Sequence, residues 1–383
     1  MDFTMPPEVE MLRRTVRDYA RERLAPLCQK VEEDDEIPPG IVQEMAELGF
    51  FGLPFPEEYD GVGMGELGYA VAMEELGAVN AAYGNLIGAH TGIAAMSVYL
   101  DGTPEQKEKY LRPMCRGESI GAFALTEANA GSDAAAIETT ARRQGDTYIL
   151  NGAKIWITNG TVAGTIIAFG VTDKSLGARG GISAFIVEKG FPGFKVGKID
   201  AKMGLRGSHT AELIFEDCQV PAANVLGQPG LGFLTAMKAL DMGRIGLAAG
   251  AVGAAQYALE LSCKWANQRV QFGKPIGELQ AVQWMLADMA TQIEATRWMT
   301  YHAAWKADQK QPVTREAAMV KLYASEMANH VVDLAVQVHG GTGYMKEFGI
   351  ERMYRDARIL KIYEGTNEIQ RLVIARELLR AWK

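Results

Sequence analysis

The stretch that decides the fold is TYILNGAKIWIT, residues 147–158. On both sides of Asn151-Gly152 it carries β-branched and aromatic residues, which are typical of strands. Asn-Gly between two such runs is a strong signal for a two-residue turn. We therefore predict a β-hairpin here, with strands over 147–150 and 154–158.

Four more strand-like runs surround this segment, separated by turns rich in Gly and Pro: 166–171, 182–187, 194–198 and 211–215. The two ends of the chain have a different pattern. From Pro6 to about Arg116, apolar residues recur at helical spacing, and Pro6 or Pro7 suits a first helical turn. From Gly232 onward the chain is again helical and rich in Ala, Met and Leu. The order α, β, α indicates segregated units, an α+β multidomain fold.

The length of 383 residues suggests two or three units, and 48% hydrophobic residues are enough for a substantial core. We place the boundaries of three domains at the changes of pattern. The prediction is an N-terminal helical domain over 1–118, a middle β domain over 119–228 and a C-terminal helical domain over 229–383.

Composition excludes several classes of function. A net charge of -8, without a Lys/Arg run, argues against a nucleic-acid partner. The four cysteines are far apart and form no CxxC pair, so we expect no metal site and a reducing compartment. The stretch 247–261 is small and apolar but contains Gln256 and Glu260, which indicates a buried helix and not a membrane span. With no signal-peptide pattern, a cytoplasmic protein without a membrane partner is expected.

The first candidate for chemistry is Glu364, in YEGTNEIQRLVIAREL, residues 363–378. Apolar residues precede it, and from Ile369 the apolar spacing predicts an amphipathic helix, with Thr366 or Asn367 as its cap. A carboxylate at such a bend can point into a cleft, where apolar surroundings raise its proton affinity toward that of a general base. The alternative is an ordinary exposed Glu before a helix.

Three other segments offer groups for a ligand: ALTEANAGSD (124–133), WITNG (156–160) and QVHGGTGY (337–344). The first supplies hydroxyls and backbone amides, the second a Trp and a Thr at a strand end, and the third glycines whose N–H groups suit phosphates. Each has a structural alternative. They could be a domain-joining loop, a core Trp and a packed His339.

Taken together, these segments closely resemble the acyl-CoA dehydrogenases, which are FAD-dependent. The resemblance covers nearly the whole chain and extends to DMGRIG (241–246), RVQFGKP (269–275) and RDARI (355–359). Overall, the sequence is most similar to the short-chain, butyryl-CoA-type branch of that family. One departure is Ala128, where the family usually has Pro.

The resemblance implies a helical N-terminal domain, a middle β-barrel or sandwich and a C-terminal four-helix bundle. It also implies an oxidoreductase of fatty-acid β-oxidation, a homotetramer and electron-transferring flavoprotein as acceptor. Glu364 would remove the α-proton of an acyl-CoA thioester while FAD N5 takes the β-hydride. A neighbouring subunit would supply Arg269, Gln280 and the 337–341 loop.

The implied FAD contacts are Phe123, Leu125, Thr126, Gly131, Ser132, Trp156, Thr158, Arg269, Phe272, Gln280, Gln337, Val338, Gly340, Gly341, Thr366, Asn367 and Glu368. The implied substrate contacts are Ser132, Asp241, Arg244, Gly365, Asn85, Ala89 and His90.

Two glycines refine the expected substrate. Some family members carry their base just before the Arg of the DMGR-like motif, where this chain has Gly243, so Glu364 is the sole candidate base. Glutaryl-CoA dehydrogenases carry an Arg where this chain has Gly84, which disfavours a dicarboxylic acyl group. The pocket floor should come from 85–93. His90 there is either a core histidine or a second acid/base suited to a cyclic or unsaturated acyl group.

Two rivals remain. An acyl-CoA oxidase-like enzyme would pass electrons to oxygen, although the chain length and the Glu base count against it. A non-catalytic FAD-binding assembly factor could share the scaffold, although retention of Glu364 opposes it.

Overall fold

The computed structural model describes residues 4–380 and 382. The first three residues of the predicted N-terminal domain, and residues 381 and 383 of the C-terminal one, lie outside the described part. Helices form both ends of the chain and a sheet forms its middle, so the predicted order is confirmed.

The N-terminal part is helical. Its first helix begins at Pro7, as expected for a proline in the first turn. Its helices are α1 (Pro7–Tyr19), α2 (Cys28–Asp34), α3 (Pro39–Glu47), α4 (Gly65–Val79), α5 (Ala81–Ile87), α6 (Met96–Asp101), α7 (Pro104–Gln106) and α8 (Arg112–Cys115). A π-helical segment, Gly88–Ala95, joins α5 to α6.

The middle part is one mixed eight-stranded sheet. Its strands are β1 (Gly121–Ala124), β2 (Thr140–Gln144), β3 (Thr147–Thr158), β4 (Thr165–Val171), β5 (Ile182–Glu188), β6 (Phe194–Ile199), β7 (Thr210–Pro221) and β8 (Val225–Leu226), with a short α9 (Ala178–Gly181) before β5. The strand order is β6-β7-β3-β2-β4-β5-β8, and β1 pairs in parallel with β4.

The predicted hairpin at Asn151-Gly152 is wrong. Residues 147–158 form one continuous strand, β3, which pairs with β7 along its length and absorbs Asn151 in a register shift between Leu150 and Gly152. The Asn151 amide and Asp217 exchange two hydrogen bonds across this irregularity. The tight turn lies at Gly145 instead, between β2 and β3. Long-range pairing with β7 therefore outweighs the local turn preference.

The C-terminal part contains α10 (Gly232–Gln268), the small hairpin β9 (Val270–Gln271) and β10 (Lys274–Pro275), α11 (Gln280–Asp308), α12 (Thr314–His339), α13 (Ile350–Ala357) and α14 (Asn367–Arg380). Helices α10, α11, α12 and α14 pack together as a four-helix bundle. The stretch 247–261 lies inside α10, as the sequence predicts.

Helix α10 also packs tightly on α4, and glycines make this approach possible. A Cβ placed on Gly77 would lie 2.5 Å from the carbonyl oxygen of Gly250, and one on Gly246 would lie 2.7 Å from the Tyr69 ring. The close α4–α10 contact joins the N-terminal helices to the bundle in one hydrophobic core. A cavity lies beside this contact between α4 and α10.

All four cysteines are free thiols, three of them buried. In the described part of the chain, no helix has the length and apolar character that a membrane span requires.

Candidate active site

The cavity has a volume of about 1170 Å³. It is lined by helices α4 and α5, the loop after β1, the end of β3, helix α10 and the turn before α14. Three of the four segments singled out in the sequence reach this cavity.

Glu364 lies in the turn before α14 in a left-handed conformation, with φ of 53°. This conformation is costly for a residue with a side chain, so it persists only where neighbours hold it. Its carbonyl oxygen accepts hydrogen bonds from Arg244 Nε at 3.1 Å and Gln370 Nε2 at 3.2 Å. The next carbonyl, of Gly365, accepts from Lys321 Nζ at 2.7 Å. These three side chains fix the turn.

The helix after the turn begins as predicted. Helix α14 starts at Asn367, and the Thr366 hydroxyl accepts a hydrogen bond from the N–H of Ile369 at 3.4 Å. Thr366 is therefore the cap, one of the two alternatives left open by the sequence.

The carboxylate of Glu364 has the electrostatics of a base. Its Oε2 atom is buried and has no hydrogen-bond partner among the described residues. Burial raises the pKa of Glu364 to about 7, although Arg244 and Lys321 lower it. Burial likewise lowers the pKa of Lys321 to about 8, against the effect of the Glu364 charge. A carboxyl group poised near neutrality can accept a proton at physiological pH.

Arg244 is only 4% exposed, and its Nη1 atom donates to Asp241 Oδ1 at 2.8 Å. Both residues line the cavity, as expected of substrate contacts. Since two of its nitrogens are engaged with Asp241 and Glu364, Arg244 also has a role in holding the turn that the sequence did not reveal.

The end of β3 contributes a flat apolar surface to the cavity. Trp156 is 61% exposed and lines the cavity, and its backbone is left-handed with φ of 58°. It lies in a second register shift of β3, between Lys154 and Ile157, which turns the indole out of the sheet. Beside it, the N–H and hydroxyl of Thr126 have no hydrogen-bond partner among the described residues.

The structure brings many of the predicted site residues together. The cavity is lined by Asn85, Ala89, Phe123, Leu125, Thr126, Gly131, Ser132, Trp156, Thr158, Asp241, Arg244, Glu364, Gly365 and Thr366.

A second group lies apart from the cavity. It comprises Arg269, Phe272, Gln280, Gln337, Val338, Gly340 and Gly341, near the end of α10, the start of α11 and the end of α12. Trp265 of α10 stacks on His339 of α12 with ring centroids 5.5 Å apart, so these helix ends are neighbours. Phe272, at the tip of the β9–β10 hairpin, is 90% exposed. Glu368, in the first turn of α14, is exposed and also lies outside the cavity lining.

His90 does not reach the cavity, and the predicted substrate contact is wrong. The side chain is fully buried, with Nδ1 accepting from the N–H of Gly121 at 2.8 Å and Nε2 3.1 Å from the carbonyl oxygen of Met114. Burial lowers its pKa to about 3. His90 is therefore a neutral core residue that joins the N-terminal helices to β1.

The Asn367 side chain lies inside the bundle. It is 2% exposed, and its amide bonds with Lys321, Ser325 and Glu326. These contacts hold the side chain inside the bundle, and the FAD contact of Asn367 stays a prediction.

Four buried polar residues near the site escaped the sequence reasoning: Glu127, Lys154, Lys321 and Gln370. Three of them lie in helices or strands, Lys154 in β3, Lys321 in α12 and Gln370 in α14, whereas Glu127 lies in the loop after β1. Lys321, for example, shares one face of α12 with Ala317, Ala324 and Ala328, all buried. A lysine among alanines on a predicted buried face is unusual, and this pattern could have singled out Lys321 from the sequence.

Comparison with known proteins decides the family. Acyl-CoA dehydrogenase domains match in order: the N-terminal domain over residues 6–118, the middle domain over 122–218 and the C-terminal domain over 230–379. The chain belongs to the acyl-CoA dehydrogenase family. It is accordingly a flavoprotein oxidoreductase of acyl-CoA dehydrogenation.

Relatives in this family align along nearly the whole chain. The acryloyl-CoA reductase (NADH) of Anaerotignum propionicum is 49% identical and covers 99% of this chain and 96% of its own. The short-chain specific acyl-CoA dehydrogenase of Clostridium acetobutylicum is 46% identical, covering 99% of this chain and 100% of its own.

Two solved structures have the same fold. Butyryl-CoA dehydrogenase from Megasphaera elsdenii has a TM-score of 0.97 at 44% identity, with 99% of this chain and 100% of that chain covered. A chain from work on the electron transferring flavoprotein of Acidaminococcus fermentans has a TM-score of 0.98 at 48% identity, with the same coverage.

The cofactor of the family is FAD, and the cavity fits it. The exposed Trp156 indole suits a flat ring, and the unpartnered donors of Thr126 suit the polar edge of a flavin. FAD supplies the oxidant of the reaction, and the protein supplies binding, orientation and a base.

Proposed function

We propose that the protein is a short-chain acyl-CoA dehydrogenase in which Glu364 removes the α-proton of the substrate thioester. The observation that carries this proposal is the buried, unpartnered Glu364 Oε2 at a cavity that Trp156 also lines. A base without a partner of its own is free to accept a proton from a ligand.

The surrounding residues support the proton transfer. The N–H of Glu364 has no partner among the described residues and is available to polarise a thioester carbonyl. The positive charges of Arg244 and Lys321 stabilise the ionised carboxylate, while burial keeps it basic. Arg244, Lys321 and Gln370 hold the turn, so that little reorganisation is needed when the proton moves.

The shape of the cavity supports a short acyl chain. At its apolar end the Met73 methyl lies 3.5 Å from a Cβ placed on Gly88 and 3.7 Å from one placed on Gly84. Met73 therefore closes the space that the two glycines open. We infer a preference for acyl groups of roughly four to eight carbons, in line with the short-chain relatives.

No basic side chain is found at position 84 to pair with a distal carboxylate, so glutaryl-CoA is expected to be a poor substrate. The proposal of a cyclic or unsaturated acyl group rested on His90 as a second acid/base. Its neutral, buried ring leaves that proposal without support.

The relatives also bear on the redox partner and on the direction of the reaction. We propose an electron-transferring flavoprotein as acceptor, since a structural neighbour comes from work on such a flavoprotein. We propose a cytoplasmic location, since relatives such as the Clostridium acetobutylicum enzyme are bacterial. A relative named acryloyl-CoA reductase favours a second candidate, reduction of a 2-enoyl-CoA at the same site. Protonated Glu364 would then return the proton to the α-carbon. Anaerobic assays in both directions distinguish the two candidates.

The remaining FAD contacts are proposed to come from a neighbouring subunit of a homotetramer. Arg244 at the cavity and Arg269 are 25 residues apart on or at the end of one helix, about 38 Å at 1.5 Å per residue. One dinucleotide cannot bridge that distance, so Arg269 and the 337–341 loop would serve the FAD of another copy.

The decisive experiment is flavin reduction by butyryl-CoA in stopped flow without oxygen, comparing the unaltered enzyme with Glu364→Gln. The variant keeps size and shape but cannot take a proton, so reduction should slow by at least ~10³-fold while FAD and acyl-CoA still bind. Near-normal reduction would refute Glu364 as base. Rapid peroxide formation under air would favour the oxidase, and failure of any acyl-CoA to bleach the flavin would favour the assembly factor.

A further inference from the structure

A buried ion pair behind the cavity wall has no part in the proton transfer. Lys154 of β3 is fully buried, and its Nζ atom lies 2.6 Å from Glu127 Oε1. Glu127 is 7% exposed, and its carboxylate also accepts the N–H groups of Glu138 and Thr139. A buried pair of this kind contributes little net stability compared with apolar residues, which suggests another role.

The second contact of Lys154 indicates that role. Its Nζ atom donates to the carbonyl oxygen of Leu125 at 3.1 Å, and the N–H of Ile155 donates to the carbonyl oxygen of Thr126 at 3.0 Å. Two consecutive carbonyls of the 124–133 loop are therefore tied to β3. The two residues of β3 that make these hydrogen bonds, Lys154 and Ile155, directly precede Trp156, whose indole the register shift turns into the cavity.

The geometry of the peptide bond between Leu125 and Thr126 then fixes the direction of the Thr126 N–H. In a trans peptide the C=O and the following N–H point in opposite directions, and the described residues contain no cis bond. Since the Leu125 carbonyl points at buried Lys154, the N–H of Thr126 points away from Lys154. Thr126 lines the cavity, and its N–H is unpartnered among the residues the structure describes.

We propose that Lys154, held in place by Glu127, is a positioning residue that directs the Thr126 N–H at the flavin. The inference rests on the proposed function and on Thr126 and Trp156 as contacts of the flavin. Its consequence is electrostatic as well as steric. A flavin gains negative charge at its pyrimidine edge on reduction, and an aligned N–H donor there stabilises the reduced form.

Variants of the Lys154–Glu127 pair can separate the loss of the hydrogen bond to Leu125 from the loss of charge balance. Lys154→Met removes the tie to Leu125 and leaves Glu127 buried without its cation. Glu127→Gln removes the anion but leaves Lys154 able to donate to Leu125. Both single variants should lose thermal stability, because each leaves an uncompensated buried charge. The double variant Glu127→Gln/Lys154→Met removes both charges and should regain much of that stability.

The readouts are FAD affinity, measured by fluorescence titration of the deflavinated protein, and the flavin midpoint potential without substrate. For Lys154→Met and for the double variant we expect FAD binding weakened about ten-fold or more, as for one lost oriented contact, and a more negative potential. Glu127→Gln should change both much less. If Lys154→Met alone does not fold, the double variant carries the test.

Recovery of FAD affinity and potential in the double variant would mean that the pair acts only through folding, and would overturn the inference. So would normal values in Lys154→Met. If the unaltered protein itself binds no FAD, the proposed function fails, and the inference fails with it.

Discussion

The carboxylate of Glu364 occupies the space in which a side chain at position 243 would begin. A Cβ placed on Gly243 would lie 2.8 Å from Glu364 Oε2 and 2.5 Å from Ile93 Cγ2. The family's two alternative positions for the base therefore meet at one point of the cavity, and this chain has room for a side chain at only one of them.

Gly243→Ala should displace the Glu364 carboxylate and slow flavin reduction about 10²-fold, because a small misplacement of a reacting group is costly. FAD content should not change. The measurement is stopped-flow reduction by butyryl-CoA, with Gly40→Ala as control, since a Cβ there meets nothing within 4 Å. An unaffected Gly243→Ala would mean that the carboxylate acts from elsewhere.

The rate of flavin reduction should rise with pH through a midpoint near 7, because the base must be ionised and burial raises its pKa to about 7. Lys321→Met removes a nearby positive charge and should shift the midpoint to higher pH. Lys264→Met, at an exposed position of α10, is the matched control. A midpoint that is identical in Lys321→Met and in the control would contradict this electrostatic role.

The same pKa shift affects stability. A carboxyl group whose folded pKa lies above its ordinary value of 4.5 binds more protons when folded. Its contribution to the free energy of unfolding is complete below pH 4.5 and is lost as pH rises to about 7. In Glu364→Gln this dependence should disappear, which denaturant unfolding at pH 5 and pH 8 can measure.

Chain-length preference should depend on Gly88. A Cβ there meets Met73 at ordinary contact distance, so Gly88→Ala should fold normally but shorten the cavity. We expect the rate ratio of octanoyl-CoA to butyryl-CoA to fall about ten-fold, the usual effect of one methylene-sized change. Met73→Ala should shift the ratio the other way. Opposite shifts, or glutaryl-CoA as the best substrate, would refute the assignment of the apolar end.

FAD binding should be coupled to assembly. Arg269→Ala removes a proposed charge-assisted contact to the pyrophosphate and should lower flavin retention after gel filtration. Arg14→Ala, on a mostly exposed side chain of α1, is the control. Removing FAD should promote dissociation in light scattering, because a ligand that binds only the assembled state stabilises it. A stable monomer with full flavin would contradict the shared site.

Local patterns predicted much of this protein. The α, β, α order, the helix after Glu364 with a cap at Thr366 or Asn367, and the family all follow from short stretches of sequence. Helical spacing, capping residues and turn residues act over a few positions, so their information is in the chain itself. The hairpin at Asn151-Gly152 failed because β7, about 60 residues away, pairs with the whole of β3.

The sequence alone identified Glu364 as a base candidate and Trp156 and Thr126 as candidate flavin contacts. Only the tertiary structure decided how Glu364 is held, because Arg244, Lys321 and Gln370 come from three helices and meet at two carbonyl oxygens. It also removed His90 from the site and revealed the Lys154–Glu127 pair. Burial and pKa depend on packing between distant segments, and no pattern along one segment contains that information.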